Sequence, residues 1–247
     1  MTRAFSSMPV EPIPGDYQFR ALHEGPRVQR FWHRNKLQAL QAALSEGGSL
    51  DVVVDVGCGS GNLLLWSGLA PRLAVGIDLS FDAVRFCATR RGARRAVFVQ
   101  AAGGTLPLAD AVADLVILVE VIEHLVEPDV VLREIHRVLR PGGRLFLTTP
   151  NYRWPSPWPL LEWLADRSGL VAQMGDAQHV QRFTTEAVRT TLAASGFRVE
   201  RLGTMYLWSP VVALFSAGKA ARVAAAEIRG SLRHGCLIHC LASKPGR

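Results

Sequence analysis

The sequence predicts an α/β protein built on a doubly wound, mostly parallel, seven-stranded sheet. Three observations predict it. The β-branched run Val52, Val53, Val54, Asp55, Val56 enters a loop with glycine at every second position, Gly57, Gly59 and Gly61. A buried strand therefore stops where the backbone must approach something closely. A second apolar run, Val75, Gly76, Ile77, closes in the carboxylate Asp78, about twenty residues on, where the next parallel strand should end. Strand, turn and helix then recur towards the C-terminus, the pattern of a parallel sheet covered on both faces.

Residues 1–15, with Pro9, Pro12 and Pro14, read as an extended lead-in of little chemical content. Residues 16–247 read as one domain. Phe31, Leu37, Leu40 and Leu44 fall at helical spacing before Gly47 and Gly48, so residues 17–44 form one helix or two. The cluster Arg30, Phe31, Trp32, His33, Arg34 suits either a cap over a pocket or packing on the sheet. Asn62 begins the first crossover helix, with its N-terminal amides free for an anion. Ser80 caps a helix over residues 80–91 that carries Phe81, Val84 and Cys87 on one face.

Residues 96–100 and 114–119 are the third and fourth strands. An amphipathic helix over residues 128–139 puts Val131, Leu132, Ile135, Val138 and Leu139 inward and stops at Pro141, Gly142, Gly143. Residues 144–151 follow as the fifth strand. Residues 152–178 break the repeat, with Trp154, Trp158 and Trp163 among three prolines, and suit a lid over an apolar acceptor or a plug completing the core. Thr184 or Thr185 caps the next helix, and residues 198–202 and 235–243 make the last two strands, the final one antiparallel. Between them, residues 205–231 are apolar but interrupted by Ser209, Pro210, Gly218 and Lys219. This stretch suits core packing, a lipophilic pocket, or contact with a membrane surface helped by Lys219, Arg222, Arg229 and Arg233.

With 49% hydrophobic residues in 247, the chain can bury a sizeable core. Its net charge of +7 is spread along the chain rather than gathered in a tail, which argues for solvated faces more than for a nucleic-acid arm. Four cysteines without a paired framework read as buried thiols, and no metal site is expected. Neither a signal pattern nor an apolar span is visible, so a cytoplasmic protein is expected, in contact with the membrane periphery at most.

The glycine turn has no lysine of the kind a phosphate loop needs, and Asn62 stands where a dinucleotide fingerprint needs its third glycine. What remains, Asp-x-Gly-x-Gly-x-Gly from Asp55 to Gly61, resembles the first motif of class I S-adenosylmethionine-dependent methyltransferases. The Leu106-Pro107 turn, the step Glu123-His124-Leu125, Pro141-Gly142-Gly143 and Phe183-Thr184 occur in that family's order. The small-molecule group, and ubiquinone-biosynthesis O-methyltransferases in particular, is the nearest resemblance.

The resemblance implies S-adenosyl-L-methionine as cofactor. It implies that Gly57, Gly59 and Gly61 let the backbone approach the cofactor, that Asp55 orients the glycine turn or the methionine end, that Asp78 holds the ribose and that Glu120 and Val121 line the cofactor side of the fourth strand, with Cys58, Leu79, Ala102 and Gly103 as further cofactor-binding residues. The family's adenine-reading aspartate is missing at Ala102, where backbone N–H and C=O can serve instead. His124 is the expected general base, with His179 in reserve. The expected acceptor is a small apolar or aromatic molecule, quinone- or lipid-like, methylated on oxygen. A non-catalytic cofactor-binding protein and a methyltransferase acting on nucleic acid or protein are the rival readings; the absence of a separate basic recognition domain argues against nucleic acid.

Overall fold

A computed structural model describes residues 13–45, 49–90, 96–153, 160, 179–230 and 233–246. The tryptophan-rich stretch, for which a lid and a core plug were both expected readings, lies outside the described residues apart from Tyr152, Arg153 and Leu160.

Seven strands form a single sheet in the order β3-β2-β1-β4-β5-β7-β6. They are β1 (Val52–Val56), β2 (Leu73–Asp78), β3 (Ala96–Gln100), β4 (Ala113–Val119), β5 (Leu139–Pro150), β6 (Arg198–Met205) and β7 (Leu237–Ser243). β1 to β5 run parallel, whereas β7 is antiparallel to both β5 and β6. Chain order reverses between β1 and β4, and in open α/β sheets the crevice beyond the carboxyl ends of those two strands is the ligand site.

Period-two alternation sorts the strand side chains into two cores. Val54, Val56, Val116 and Leu118 face one side; Val53, Leu115, Ile117 and Phe146 face the other. The first side is covered by α5 (Pro128–Val138) and α6 (Thr185–Ala194), through Leu132, Ile135, Val188 and Leu192. The second is covered by α2 (Arg27–Leu44) and by α8 (Ala217–Arg229), which supply Phe31, Ala39, Leu40, Ala220 and Ala224. All five residues expected on the inward side of the residue 128–139 helix are buried.

Several boundaries differ from expectation for identifiable reasons. The helix ends at Val138, and Leu139 already pairs with Ala113 in the sheet. Pro141, Gly142 and Gly143 thus lie within β5, where the Gly142 amide donates to Lys244 O at 2.9 Å. α3 (Asn62–Trp66) follows the glycine turn; α4 (Phe81–Ala88) is capped by Ser80 as expected, but Ala83 and Cys87 form its buried stripe and Phe81 is exposed. β6 extends to Met205 because the register with β7 continues to Leu237. The N-terminal helical stretch is two helices, α1 (Tyr17–His23) and α2, separated at Pro26.

Candidate active site

The glycine turn is built by β1 and held by β2. Gly57 and Cys58 donate their amides to Ile77 O at 2.7 and 3.1 Å. Gly57, Gly59 and Gly61 have φ of 75°, 49° and 72°, the left-handed region that side chains disfavour. A Cβ on Gly57 would collide with Val121, and one on Gly59 with the Gln18 side chain. The turn is therefore squeezed between the end of β4 and helix α1.

Asp78, at the end of β2, accepts from Gly59 N at 2.8 Å through Oδ2 and from Ser80 N at 2.8 Å through Oδ1. Each oxygen keeps acceptor capacity beyond these bonds. Asp55 differs: it is 1% exposed and neither carboxylate oxygen has a partner. Burial, with Asp78 close by, pushes its carboxyl up to about 8. Ala101 N donates to Asp78 O at 3.1 Å, which brings Ala102 and Gly103 to the same strand end. Gly103 lies against Val131 and Val56. The Leu106-Pro107 turn is fixed by Glu134 Oε2, which accepts from Leu106 N at 2.9 Å, and by Arg137, which donates to Leu106 O and Leu108 O.

A cleft with about 390 Å³ of empty space, open solvent included, is lined by Gly57, Cys58 and Glu120 together with Gln18, His33, Lys36, Leu37, Asn62, Leu63 and Val119. Glu120 adopts φ of 54°, a strained backbone of the kind that collects at functional sites. Its carboxylate pairs with Lys36 Nζ and accepts from Trp32 Nε1 at 3.4 Å. Burial alone would raise the Glu120 carboxyl, but Lys36 outweighs it and holds the group below the usual carboxylate range. Burial, with Lys36 beside it, drives the His33 imidazole down to about 3, so this ring is neutral at physiological pH.

Gln18, Lys36 and the site role of His33 were not assigned from the sequence. The signal was the cluster around Trp32, whose helical spacing places Lys36 one turn on from Trp32. The lead-in expected to be chemically inert also reaches the site at its end. Ser60 Oγ donates to Gly15 O and Asn62 Nδ2 to Gln18 O, both at 2.8 Å. α1 is fastened further by Phe19, whose ring lies 5.6 Å from Trp66 and 5.7 Å from Phe86, with the Arg90 guanidinium 3.7 Å above it.

The second group of expected residues stands at the start of the next connection. A single 3₁₀ turn, Ile122–His124, follows β4 and exposes His124 while burying Glu123. The rings of His124 and His179 are 5.0 Å apart, although 55 positions separate them in the chain. The Tyr152 hydroxyl is hydrogen-bonded to His179 Nδ1 at 2.9 Å. The Glu123 carboxylate accepts from Thr149 Oγ1 at 3.0 Å, and burial followed by the charge of Glu120 pushes its carboxyl up to about 8. Glu123, His124 and His179 each bring one ligand atom within 4.8 Å of the others, a grouping with the donor types for a divalent cation that the sequence reading did not assign. Cys58, Cys87, Cys236 and Cys240 are all buried free thiols, and Cys87 Sγ donates to Gly59 O at 3.2 Å.

A glycine cradle, an acid at the end of β2, an orphaned buried carboxylate and two histidines thus gather around the carboxyl ends of β1, β2 and β4. Residues 54–147, less than half of the chain, match the family described as a methyltransferase domain. The chain is 36% identical over 107 residues to a fatty-acid O-methyltransferase of Mycolicibacterium smegmatis, covering 42% of this chain and 39% of that one. It is 26% identical over 207 residues to the ubiquinone biosynthesis O-methyltransferase of Aeromonas salmonicida, 82% of each. The N-methyltransferase NodS of Bradyrhizobium japonicum, solved with S-adenosyl-L-homocysteine, shares the fold at a TM-score of 0.58 and 16% identity, over 91% of this chain and 90% of that one. The chain spans about half the length, or less, of several curated relatives it matches.

The residues present fit S-adenosyl-L-methionine, whose amino-acid end carries one charge of each sign. Asp55 has two buried oxygens lacking donors, and Lys36 and Glu120 line the cleft with opposite charges. Among the described residues no helix is long and apolar enough to cross a membrane.

Proposed function

We propose that the protein transfers the methyl group of S-adenosyl-L-methionine to an oxygen of a small lipophilic acceptor. The observation that carries this reading is the meeting of His124 and His179 just beyond β4, beside the strand end that forms the cleft with the glycine turn. The cofactor supplies an activated methyl on a sulfonium. The protein has to align an acceptor oxygen with the S–CH₃ bond, exclude water and, for a hydroxyl, remove a proton.

Asp78 is assigned to the ribose hydroxyls through the acceptor capacity left after Gly59 and Ser80. Lys36 is assigned to the cofactor's carboxylate and Glu120 to its ammonium, so a zwitterion meets an ion pair of matching signs. Ala102 and Gly103 offer backbone groups to adenine, Leu79 flanks the ribose, and Val121 closes the turn against Gly57. His124 Nδ1 or Nε2 receives the acceptor's proton as the new C–O bond forms and the S–CH₃ bond breaks towards sulfur. His179, held by Tyr152, is the second candidate for that proton.

A lipid- or quinone-like acceptor is supported by the names of the two relatives above and by the apolar stretch between β6 and β7. Incubation with methyl-labelled S-adenosyl-L-methionine and a cell lysate tests the reading. Label is expected in the organic-soluble fraction. Label confined to nucleic acid or protein would replace the acceptor class, and cofactor binding without transfer would favour a non-catalytic protein.

A further inference from the structure

We propose that the outward face of the helical hairpin between β6 and β7 docks onto an anionic lipid surface. The hairpin consists of α7 (Ser209–Phe215) and α8, joined through Ser216. On α7 and its N-cap, Trp208, Val211, Leu214 and Phe215 are 65%, 53%, 58% and 82% exposed, whereas Ser209 and Ala213 are buried. Spacings of three and four put the large side chains together on the face opposite the buried one. The sequence pattern alone favoured core packing here; instead small residues pack inward and large apolar ones point to solvent.

This face is rigidly presented. The Glu227 carboxylate of α8, 4% exposed, accepts from Tyr206 N at 2.9 Å, Trp208 N at 2.7 Å, Ser209 N at 3.1 Å and Ser209 Oγ at 2.7 Å. It therefore satisfies the start of α7 and ties it to α8. Tyr206, which leads into α7, donates its hydroxyl to Trp32 O at 2.6 Å and stacks on the Trp32 ring at 4.0 Å. Trp32 belongs to α2, the helix that also supplies Lys36 to the cleft.

Charge selects the occupant. Between residues 205 and 234 the sole acid is Glu227, which is buried, while Lys219, Arg222, Arg229 and Arg233 are exposed. An exposed apolar face with tryptophan at its edge, on a hairpin whose exposed charges are all cationic among the described residues, matches an interfacial helix on anionic headgroups. A second copy placed symmetrically on this face would bring two sets of like charges together. The surface delivers the chain to a phase where lipophilic acceptors dissolve, yet the inference does not rest on methyl transfer, because binding is read without turnover.

The test is sedimentation of the full chain with phosphatidylglycerol–phosphatidylcholine vesicles and with phosphatidylcholine vesicles alone. Binding is expected to the anionic vesicles, with much weaker binding to the neutral ones. Trp208→Ser with Phe215→Ser should lower partitioning by about tenfold or more, from lost apolar burial. Lys219→Gln, Arg222→Gln and Arg229→Gln together should lower it by roughly a hundredfold at low salt. Melting temperature and S-adenosyl-L-homocysteine affinity should stay unchanged in both variants. Equal sedimentation of wild type and variants would overturn the proposal. So would absence of vesicle binding together with self-association that the same substitutions abolish in the ultracentrifuge.

Discussion

Asp78 Oδ2 accepts the Gly59 amide at 2.8 Å, so the acid that ends β2 directly braces the glycine turn that ends β1. Its Oδ1 meanwhile holds the Ser80 amide, also at 2.8 Å, at the start of α4. The residue read from the sequence as a ribose ligand is a strut of the cradle. Asp78→Ala should lower stability by about 1–3 kcal/mol through stranded amides and lower cofactor affinity by tenfold or more, roughly 1.4 kcal/mol. Asp78→Asn, which keeps one acceptor oxygen, should recover part of the stability and little of the affinity. Calorimetric titration with S-adenosyl-L-homocysteine and thermal melts separate the two effects; unchanged affinity in Asp78→Ala would remove the ribose assignment.

Lys36 and Glu120 form an ion pair in which the lysine is 7% and the glutamate 26% exposed. Removing one partner from a buried pair costs ~3–5 kcal/mol, and the partial exposure of Glu120 places Lys36→Met at or below the lower end. Adding Glu120→Gln should restore most of that stability, because no uncompensated charge remains. Cofactor affinity should stay low in the double variant. Recovery of affinity along with stability would show that the pair only fastens α2 to β4.

The contribution of Asp55 to stability should fall as pH rises from about 4 towards 8. The Asp55 carboxyl is raised in the folded state to about 8 from 3.8, so its ionisation is disfavoured by folding and stability is lost across that window. His33 acts oppositely: lowered to about 3 from 6.5, it favours the fold above 6.5 and withdraws that support as pH falls towards 3. Asp55→Asn should therefore melt higher than wild type at pH 8, by about 2–4 °C per kcal/mol, with a much smaller gain at pH 4. An equal gain at both pH values would refute the buried-acid explanation.

His124→Ala discriminates acceptor types. A phenol, with pKa near 10, needs its proton removed at neutral pH, and loss of a positioned base costs roughly 10²–10⁴ in rate. A carboxylic acid is already ionised, so its methylation should slow by less than about tenfold. In both cases a chelator should leave the rate unchanged. Loss of activity on chelation, restored by a divalent cation, would instead make Glu123, His124 and His179 a metal site.

The sheet was legible because its first two strands are short apolar runs closed by glycine or an acid, at Val56-Gly57 and at Asp78. Strand ends were less legible: β5 begins at Leu139 because its pairing with Ala113 is a tertiary fact that Pro141 and Gly142 obscure locally. His124 and His179 were found separately, and only folding shows that they meet. Lys36 was missed because one lysine on an amphipathic helix looks like any solvated charge until its partner is known. Helical spacing put Phe81 on one face with Val84 and Cys87, yet Phe81 is exposed while Cys87 is buried.

The most direct measurement is a crystal structure of the protein with S-adenosyl-L-homocysteine and an acceptor analogue. The ribose hydroxyls should lie on Asp78, the amino-acid end between Lys36, Glu120 and Asp55, and the sulfur should face the acceptor on the side of His124. A nucleoside bound elsewhere, or one that leaves Asp78 with only its Gly59 and Ser80 amides, would contradict the account.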